Sequence, residues 1–396
     1  LKSKQPFRSR FAAFLSTEPV LRKVTVVMML CLCALGSSTR SWSSGSKRAL
    51  RAFASKVTGV GHSGHLSAER LQGLRNEHDP PDLASKMPAT DKYLFDLNGY
   101  IILRGVLSTE ETKAANKAVE AHMDTLHERT GKLRTSGLYG RQSEKLAGNG
   151  RLGRKDMGGM LGWANPHCEP FRNFLCHPQL VPVLTELLGV GYRLDHSPVM
   201  ITQENGAEGH TLHGGAVTES GEPAWPLMYS FHHGQIRNQL LTVCMQLADA
   251  DINDGGFCVV PGSHKSNYPV PPALADLEDP ALAEHVRQPA IKTGDVLIFT
   301  EAVLHGTLPW AGLHQRRTVI YRFAPAGSAY GRGWLPQWPT SFLDGMTQAQ
   351  LAVMEAPYHP RMNRPYLDTD GQHLNAKPRE PFKVEFDERV FGSKYF

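Results

Sequence analysis

The chain has 396 residues, of which 41% are hydrophobic and 20% charged, and this balance excludes both a disordered chain and a bundle of membrane-spanning helices. Its 37 Gly and 27 Pro, with 8% aromatic residues, favour a turn-rich globular protein with many short strands. The formal charge of +5 is concentrated at the beginning, because residues 1–56 hold eleven Lys or Arg and one acid, whereas the other 340 residues hold 32 basic and 37 acidic residues. The mildly acidic body therefore does not predict a nucleic-acid partner.

The first 85 residues have the composition of a targeting leader followed by a disordered linker. Residues 24–35 form an apolar run of twelve, too short for a spanning helix of about 20 residues but typical of a signal-peptide core. Residues 37–56 then hold seven Ser, five Lys or Arg and no acid, as in a transit peptide. We expect a leader for an organelle, with the plastid favoured over the mitochondrion. The alternatives are a disordered tail or an uncleaved anchor, which would be the chain's membrane contact.

Residues 86–340 are predicted to form the folded domain. Its first element is a short apolar strand over residues 100–103, entered through an Asn-Gly turn. Ser108 and Glu111 have the spacing of a capping box, in which each side chain accepts a hydrogen bond from the backbone of the other residue. This pattern begins a helix that we expect to continue to about Leu126, since its apolar residues recur at helical spacing.

A second predicted helix, over residues 178–188, is followed by a change to strand-like patterns. Short apolar segments rich in β-formers alternate with turns, and they cover residues 198–203, 240–247, 257–260, 295–300 and 318–323. Short strands with helices in front predict a mainly β domain with flanking helices, as a sandwich or barrel. Residues 341–396 are predicted as a C-terminal extension with one short helix, residues 348–355, and a Pro-rich polar tail.

Two histidines and two arginines are the candidate functional residues of the strand region. His213 and His305 each follow a predicted strand, and Arg316 and Arg317 enter the last strand. Neutral imidazoles on facing strands of a rigid barrel can hold a metal ion. A guanidinium group deeper in the barrel can bind a dicarboxylate through paired hydrogen bonds. Each histidine is weak evidence alone, because the chain has 18 and most histidines in proteins bind no ligand.

A family resemblance rests on five segments in their order and spacing. They are Asn98-Gly-Tyr-Ile-Ile-Leu-Arg-Gly-Val-Leu-Ser108, Asp254-Gly-Gly-Phe-Cys-Val-Val-Pro-Gly-Ser-His264-Lys, Gly294-Asp-Val-Leu-Ile-Phe299, His305-Gly306 and Arg316. Over about residues 90–340 the chain resembles the phytanoyl-CoA dioxygenase family of Fe(II)/2-oxoglutarate oxygenases. The resemblance implies a double-stranded β-helix, which is a jelly roll of the cupin type. It also implies Fe(II) and 2-oxoglutarate as cofactors, ascorbate as reductant, and dioxygen and a small molecule as partners.

The resemblance also implies a role for each candidate residue. His213 and His305 would be the two histidines of a 2-His-1-carboxylate triad around the iron. Arg316 would bind the distal carboxylate of 2-oxoglutarate, or Arg317 would do so if the strand register is shifted by one residue. The implied enzyme is a non-haem iron, 2-oxoglutarate-dependent dioxygenase that hydroxylates a small organic or lipid-like substrate.

The chain departs from the family at the triad carboxylate, which should lie two residues after the first His, where this chain has Gly215. Three alternatives follow. Glu219 reaches in from the next loop; or the position is open to water or halide, as in related halogenases; or the metal site is degraded and the protein binds ligand without turnover. His210 is a poorer substitute, because a residue three positions along a strand points to the opposite face.

Overall fold

The described strands form two antiparallel sheets and two hairpins. In chain order they are β1 (Tyr100–Leu103), β2 (His127–Glu128), β3 (Lys155–Met157), β4 (Arg193–Gln203), β5 (His210–His213), β6 (Tyr229–His232), β7 (Gln235–Asn238), β8 (Leu241–Gln246), β9 (Gly256–Val259), β10 (Val296–Thr300), β11 (His305–Leu308), β12 (Arg316–Ala324), β13 (Tyr366–Thr369) and β14 (Leu374–Lys377). The large sheet has the order β1-β10-β8-β12-β4-β3-β2, the small sheet has the order β5-β11-β9, and the hairpins are β6-β7 and β13-β14. Two facing antiparallel sheets are a jelly-roll arrangement, so the predicted fold class is confirmed.

The helices precede, interrupt and follow these strands. They are α1 (Ala89–Asn98), α2 (Thr109–Glu120), α3 (Glu169–Phe174), α4 (Val181–Leu188), α5 (Pro272–Ala275), α6 (Pro280–Ala283), α7 (Thr340–Leu343), α8 (Gln348–Val353) and α9 (Pro381–Phe391). The predicted helix over residues 178–188 is α4, which begins at Val181 and is followed by Gly189. In the part of the chain that the structure describes, no helix has both the length and the apolar character that crossing a bilayer requires.

This computed structural model describes residues 87–134, 143–330, 338–358, 366–369, 374–377 and 380–392. All of them belong to one of the two units into which the chain divides, Pro80–Phe396. The predicted leader and linker lie outside the described residues, so the leader, the organelle and the membrane contact stay predictions.

Strand β12 divides its side chains between two environments. Val319, Tyr321 and Phe323 belong to the main hydrophobic core, in which Phe174 of α3 packs against Tyr321 with ring centroids 4.7 Å apart. The alternate side chains line the space between the sheets, and they are Arg316, Thr318, Ile320 and Arg322. Because successive side chains of a strand point to opposite faces, one face of the large sheet packs in the core and the other face is left to a cavity.

Helix α2 begins as predicted and ends earlier. The Ser108 hydroxyl accepts a hydrogen bond from the Glu111 N–H at 3.2 Å, and the Glu111 carboxylate accepts one from the Ser108 N–H at 2.8 Å, so both halves of the capping box form. The helix ends at Glu120 because the backbone of His122 leaves the helical conformation. The Nδ1–H group of His122 instead donates to the Ala118 carbonyl at 2.8 Å.

The C-terminal part has more regular structure than the predicted polar tail. Helices α7 and α9 and the β13-β14 hairpin accompany the expected helix α8, so that part of the prediction was wrong. The buried Arg172 side chain donates to the carbonyls of Ser341 at 3.1 Å and Asp344 at 2.8 Å. Arg193 of β4 donates to the Glu355 carbonyl at 3.1 Å. These bonds join residues that are distant in the sequence, which is why local patterns missed them.

Candidate functional site

A cavity of about 270 Å³ lies between the two sheets. Strands β4, β8, β10 and β12 line it on one side, and β5, β9 and β11 line it on the other. Its arginine and histidine lining side chains, among the described residues, are Arg129, Arg154, Arg316, Arg322, His210, His213 and His305. The cavity is therefore basic and combines the two kinds of group that the sequence predicted, imidazoles and guanidinium groups.

His213 and His305 are brought together as cross-strand partners of β5 and β11. Their ring centroids are 4.3 Å apart. The Nδ1 atom of His213 lies 3.0 Å from the Thr211 carbonyl, and that of His305 lies 2.8 Å from the Val303 carbonyl. A carbonyl only accepts hydrogen bonds, so Nδ1 carries the proton in both rings and Nε2 keeps its lone pair. Burial lowers the pKa of His213 and lowers that of His305 to about 3, so both imidazoles are neutral at physiological pH.

His210 also faces the cavity, contrary to the expectation that it would point away. In the pairing of β5 with β11, His213 lies opposite His305 and His210 lies opposite Thr307. Three positions along β5 therefore match two along β11, which is a β-bulge that returns His210 to the same face. Its ring centroid lies 4.4 Å from that of His213. The prediction failed because an ideal strand alternates strictly and this strand does not.

Glu301 is a buried carboxylate beside the histidines, and the sequence analysis missed it. It directly follows β10, and its Oε1 atom accepts hydrogen bonds from Arg322 Nε at 2.8 Å and from the Thr242 hydroxyl. Its Oε2 atom lies 3.7 Å from His305 Nε2. Burial alone would raise the pKa of Glu301, but the Arg322 charge and the Thr242 hydrogen bond outweigh burial, so the pKa falls well below its usual value. The signal that the sequence offered for Glu301 was its position four residues before His305, a candidate metal ligand.

Gly215 and Glu219 do not place a carboxylate in the cavity. Gly215 has a positive φ of 106°, and its N–H group donates to the Ala302 carbonyl at 3.0 Å. A Cβ atom there would lie 3.4 Å from Val270 Cγ2, so space is available, but L side chains rarely adopt this backbone conformation. Glu219 is exposed, in a turn after β5, and is not among the described lining residues. Among the described residues, Glu301 is the one whose carboxylate contacts His305, at 3.7 Å.

Arg316 and Arg317 are separated by the alternation of β12. Arg316 is buried in the cavity, where its Nη1 donates to the Gln203 side chain at 2.6 Å. The Arg316 side chain packs against the backbone of Gly256. A Cβ atom on this glycine would lie 3.1 Å from Arg316 Nε. Burial lowers the pKa of Arg316 to about 10, which leaves it charged at neutral pH. Arg317 faces the other way and binds Glu120 of α2 at 2.6 Å.

Two further arginines reach the cavity from the extension of the large sheet. Arg129 follows β2 and Arg154 precedes β3, and their Nε atoms lie 2.6 and 2.9 Å from the carboxylate of Asp156. Sequence reasoning missed both residues because they precede the strand-rich half and belong to none of the five segments that carry the family resemblance. Two of the four arginines thus share one carboxylate, and Arg322 is paired with Glu301.

The Pro-Gly-Ser-His segment sets the backbone that leads into His305. The Ser263 hydroxyl accepts a hydrogen bond from the Leu304 N–H at 2.7 Å and donates to the Val260 carbonyl at 2.7 Å. The buried His264 ring donates from Nε2 to the Asp96 carbonyl at 3.1 Å. This segment therefore positions a candidate ligand and does not itself line the cavity between the sheets.

A second, wider cleft of about 500 Å³ lies beside the first helix and the β6-β7 hairpin. Asp96 and Lys265 form an ion pair of 3.0 Å at its edge, and the Tyr229 hydroxyl donates to Asp96. It contains neither the His213–His305 pair nor Arg316, so its greater size does not make it the better candidate site. No three His, Cys, Asp or Glu side chains among the described residues are already arranged as a complete metal-ligand set.

Comparison with known proteins identifies a family over much of the chain. The family model described as Phytanoyl-CoA dioxygenase (PhyH) matches residues 95–318, which is more than half of the chain. This range includes His213, His305 and Arg316. No curated protein sequence matches the chain closely enough to count as a relative.

Several solved structures resemble the fold at low identity. HygX from Streptomyces hygroscopicus, with nickel and 2-oxoglutarate bound, is 18% identical, with a TM-score of 0.47 over 61% of this chain and 88% of that chain. EctD from S. alaskensis, with 2-oxoglutarate and 5-hydroxyectoine, is 18% identical, with a TM-score of 0.43 over 63% of this chain and 80% of that chain. The non-heme alpha ketoglutarate dependent carbocyclase SnoK from nogalamycin biosynthesis is 15% identical, with a TM-score of 0.44 over 66% and 94%.

Proposed function

The chain belongs to the phytanoyl-CoA dioxygenase family of non-haem iron, 2-oxoglutarate-dependent oxygenases, and we propose that it hydroxylates a small organic or lipid-like molecule at an iron ion held by His213 and His305. Its cofactors are Fe(II) and 2-oxoglutarate.

The observation that carries the proposal is the pair of cross-strand imidazoles whose Nε2 atoms keep their lone pairs. Each Nδ1–H group is held by a backbone carbonyl, which fixes the ring and its tautomer as in protein metal sites. Imidazole nitrogen is a suitable ligand for Fe(II). The donor chemistry of His213 and His305 therefore fits the metal that the family uses.

Arg316 supports the second half of the proposal, which is the binding of 2-oxoglutarate. Only its Nη1 atom has a protein partner among the described residues, the Gln203 side chain. The rest of the guanidinium fork is available to the cavity, and such a fork matches the two oxygens of a carboxylate. Gly256 makes this possible, because a side chain at that position would crowd the Arg316 Nε atom.

In the proposed reaction the protein binds, orients and shields the reactants. With dioxygen, bound Fe(II) and 2-oxoglutarate supply an oxidation in which 2-oxoglutarate loses CO₂ to become succinate, one oxygen atom enters succinate and the other converts a substrate C–H bond to C–OH. Arg316 holds the far carboxylate of 2-oxoglutarate, and the two histidines hold the metal. Phe257 and Phe299 give the cavity an apolar wall beside His305.

The experiment for this proposal measures succinate and metal together. Purified protein with Fe(II), ascorbate and 2-oxoglutarate is expected to release succinate, and His213→Ala and His305→Ala should each lose iron and activity. His285→Ala is the control, because His285 is exposed and is not among the residues that line the cavity. Retention of full iron content by either cavity variant would exclude that histidine as a ligand. Binding of 2-oxoglutarate without succinate release, at saturating iron and ascorbate, would favour a non-catalytic binding protein.

Halogenation is a second candidate, and it rests on Gly215. That glycine stands at the family's carboxylate position, which would leave a place for halide beside the metal. The basic lining of the cavity would also favour an anion. A chloride-dependent, chlorinated product would support this candidate, whereas an oxygenated product independent of chloride would support hydroxylation.

A further inference from the structure

We infer that Glu301 supplies the carboxylate ligand of the iron site, from the loop that precedes His305 and not from position 215. The inference rests on the proposed function, because it assumes that His213 and His305 hold the metal. It goes beyond that function by naming the third ligand from this chain's own residues.

The loop that carries Glu301 runs beside the position where the family has its carboxylate. Gly215 donates its N–H to the carbonyl of Ala302 at 3.0 Å. A Cβ atom on Gly214 would lie 2.7 Å from the Glu301 carbonyl oxygen and 2.5 Å from that of Val303. The glycines after His213 therefore allow a close approach of two backbones. From this backbone the Glu301 side chain reaches His305, with its Oε2 atom 3.7 Å from His305 Nε2.

The two carboxylate oxygens of Glu301 have different surroundings. Oε1 accepts hydrogen bonds from Arg322 and Thr242. Oε2 has no hydrogen-bond donor among the described residues and lies 3.7 Å from His305 Nε2. One oxygen is therefore held in place and the other is left to bind something else, as in metal sites where a ligating carboxylate is oriented by hydrogen bonds.

The contact between Oε2 and Nε2 calls for a cation. The Nδ1–H of His305 is used by the Val303 carbonyl, so Nε2 presents a lone pair toward a negatively charged oxygen. Two acceptors that face each other repel, and a divalent ion between them converts that repulsion into attraction. With metal–ligand bonds of about 2.0 to 2.2 Å, two ligands of one ion can lie up to about 4 Å apart. The observed 3.7 Å separation fits this geometry.

Charge favours Glu301 over His210 as the third ligand. His210 also lines the cavity, whose wall already holds four arginines. If three neutral imidazoles held the Fe(II) ion, none of them would offset its two positive charges. A carboxylate offsets part of that charge, and an anionic oxygen is a good ligand for a hard ion such as Fe(II). The competing interpretation is that Glu301 is only the ion-pair partner of Arg322.

Anaerobic titration calorimetry with Fe(II) alone separates these interpretations. Glu301→Gln keeps the size of the side chain and is expected to weaken Fe(II) binding at least about tenfold. The matched control is Glu208→Gln, because Glu208 is also buried and paired with an arginine, Arg134, at 2.8 Å, whereas it is the Glu301 carboxylate that lies 3.7 Å from His305 Nε2. Glu208→Gln should lower the free energy of unfolding. Its affinity for Fe(II) should stay within about twofold of the wild-type affinity, because distant sites contribute independently.

Two further variants keep the test decisive. If Glu301→Gln does not fold, Glu301→Asp retains the charge next to Arg322 but retracts the carboxylate, and it should still weaken Fe(II) binding. His210→Ala should leave the affinity unchanged. Wild-type affinity in the folded Glu301 variants, while His213→Ala and His305→Ala lose the metal, would overturn this inference and leave the proposed function intact. Loss of the metal in His210→Ala but not in Glu301→Gln would assign the third position to His210. Unchanged affinity in both His213→Ala and His305→Ala would overturn the proposed function itself.

Discussion

Arg316 and Arg317 are consecutive in the chain, yet their guanidinium groups lie on opposite faces of the large sheet. Arg316 binds Gln203 inside the cavity, whereas Arg317 binds Glu120 and Asn116 of helix α2. The pleat of β12 alone produces this separation. The pair therefore provides a test in which one residue is the natural control for the other.

Replacing Arg316 with Lys should weaken 2-oxoglutarate binding about tenfold or more, which corresponds to about 1.4 kcal/mol. Lys keeps the positive charge but lacks the planar fork that matches a carboxylate. Arg317→Lys should change the affinity by less than about twofold, because its side chain faces α2. Calorimetric titration of the Fe(II)-loaded proteins with 2-oxoglutarate, under anaerobic conditions, measures both. Greater sensitivity at Arg317 would contradict the register of β12.

Fe(II) should raise the melting temperature of the wild-type protein and should not raise that of His213→Ala or His305→Ala. A ligand that binds only the folded state stabilises it by about 2.7 kcal/mol when its free concentration is 100 times the Kd. Both rings line a cavity and are not part of the hydrophobic clusters, so the variants should fold without metal. Calorimetric scans with and without anaerobic Fe(II) provide the measurement. The opposite result would be variants that melt at a lower temperature than wild type without metal but gain as much from Fe(II) as wild type does. It would mean that these histidines stabilise the fold and do not bind the metal.

Gly215→Asp is expected to destabilise the protein without increasing Fe(II) affinity. The φ of 106° at this position is rare for L side chains, and such a backbone costs about 1 to 3 kcal/mol. Gly215→Ala carries the same backbone cost and no carboxylate, so the difference between the two variants isolates the effect of the new side chain. Denaturant unfolding gives the stability and Fe(II) titration gives the affinity. A tighter Fe(II) site in the Asp variant than in the Ala variant would mean that the third position is open, against the assignment of Glu301.

Ser263→Ala should reduce stability by about 1 to 3 kcal/mol, because the Leu304 N–H loses its acceptor in a buried setting. Leu304 immediately precedes His305, so Fe(II) binding should also weaken. Ser266→Ala is the control, since Ser266 is exposed, directly follows the segment and has its side-chain hydrogen bonds with Tyr268. Urea unfolding and Fe(II) titration of both variants test the prediction. Equal behaviour of the two variants would remove the proposed link between this segment and His305.

The sequence predicted the elements whose signals are local. Strand β1 begins and ends at the predicted residues, and the capping box at Ser108 begins α2 as expected. The sequence also predicted that His213 and His305 lie together, because each follows a predicted strand and both belong to the pattern of the family. The cofactors and the family likewise follow the resemblance.

The parts of the site that were missed depend on contacts between distant segments. His210 faces the cavity because of a bulge in β5, and a bulge has no clear signature in so short a strand. Glu301 lies near His213 because the backbone after β10 runs beside the glycines after β5. Arg154 arrives through the pairing of β3 with β4. Each depends on where one segment lies against another, which local periodicity does not report.

The alternation along β12 also determines which changes in length this protein can tolerate. One deleted residue between Arg316 and Arg322 would turn the later half of the strand over. Arg322 would then face the helices, and an aromatic residue such as Phe323 would enter the cavity in its place. A paired deletion or insertion of two residues would keep the faces but shift the spacing of the two arginines. Natural variation in chain length should therefore be confined to the loops on either side of β12, and related chains should keep this strand free of insertions and deletions.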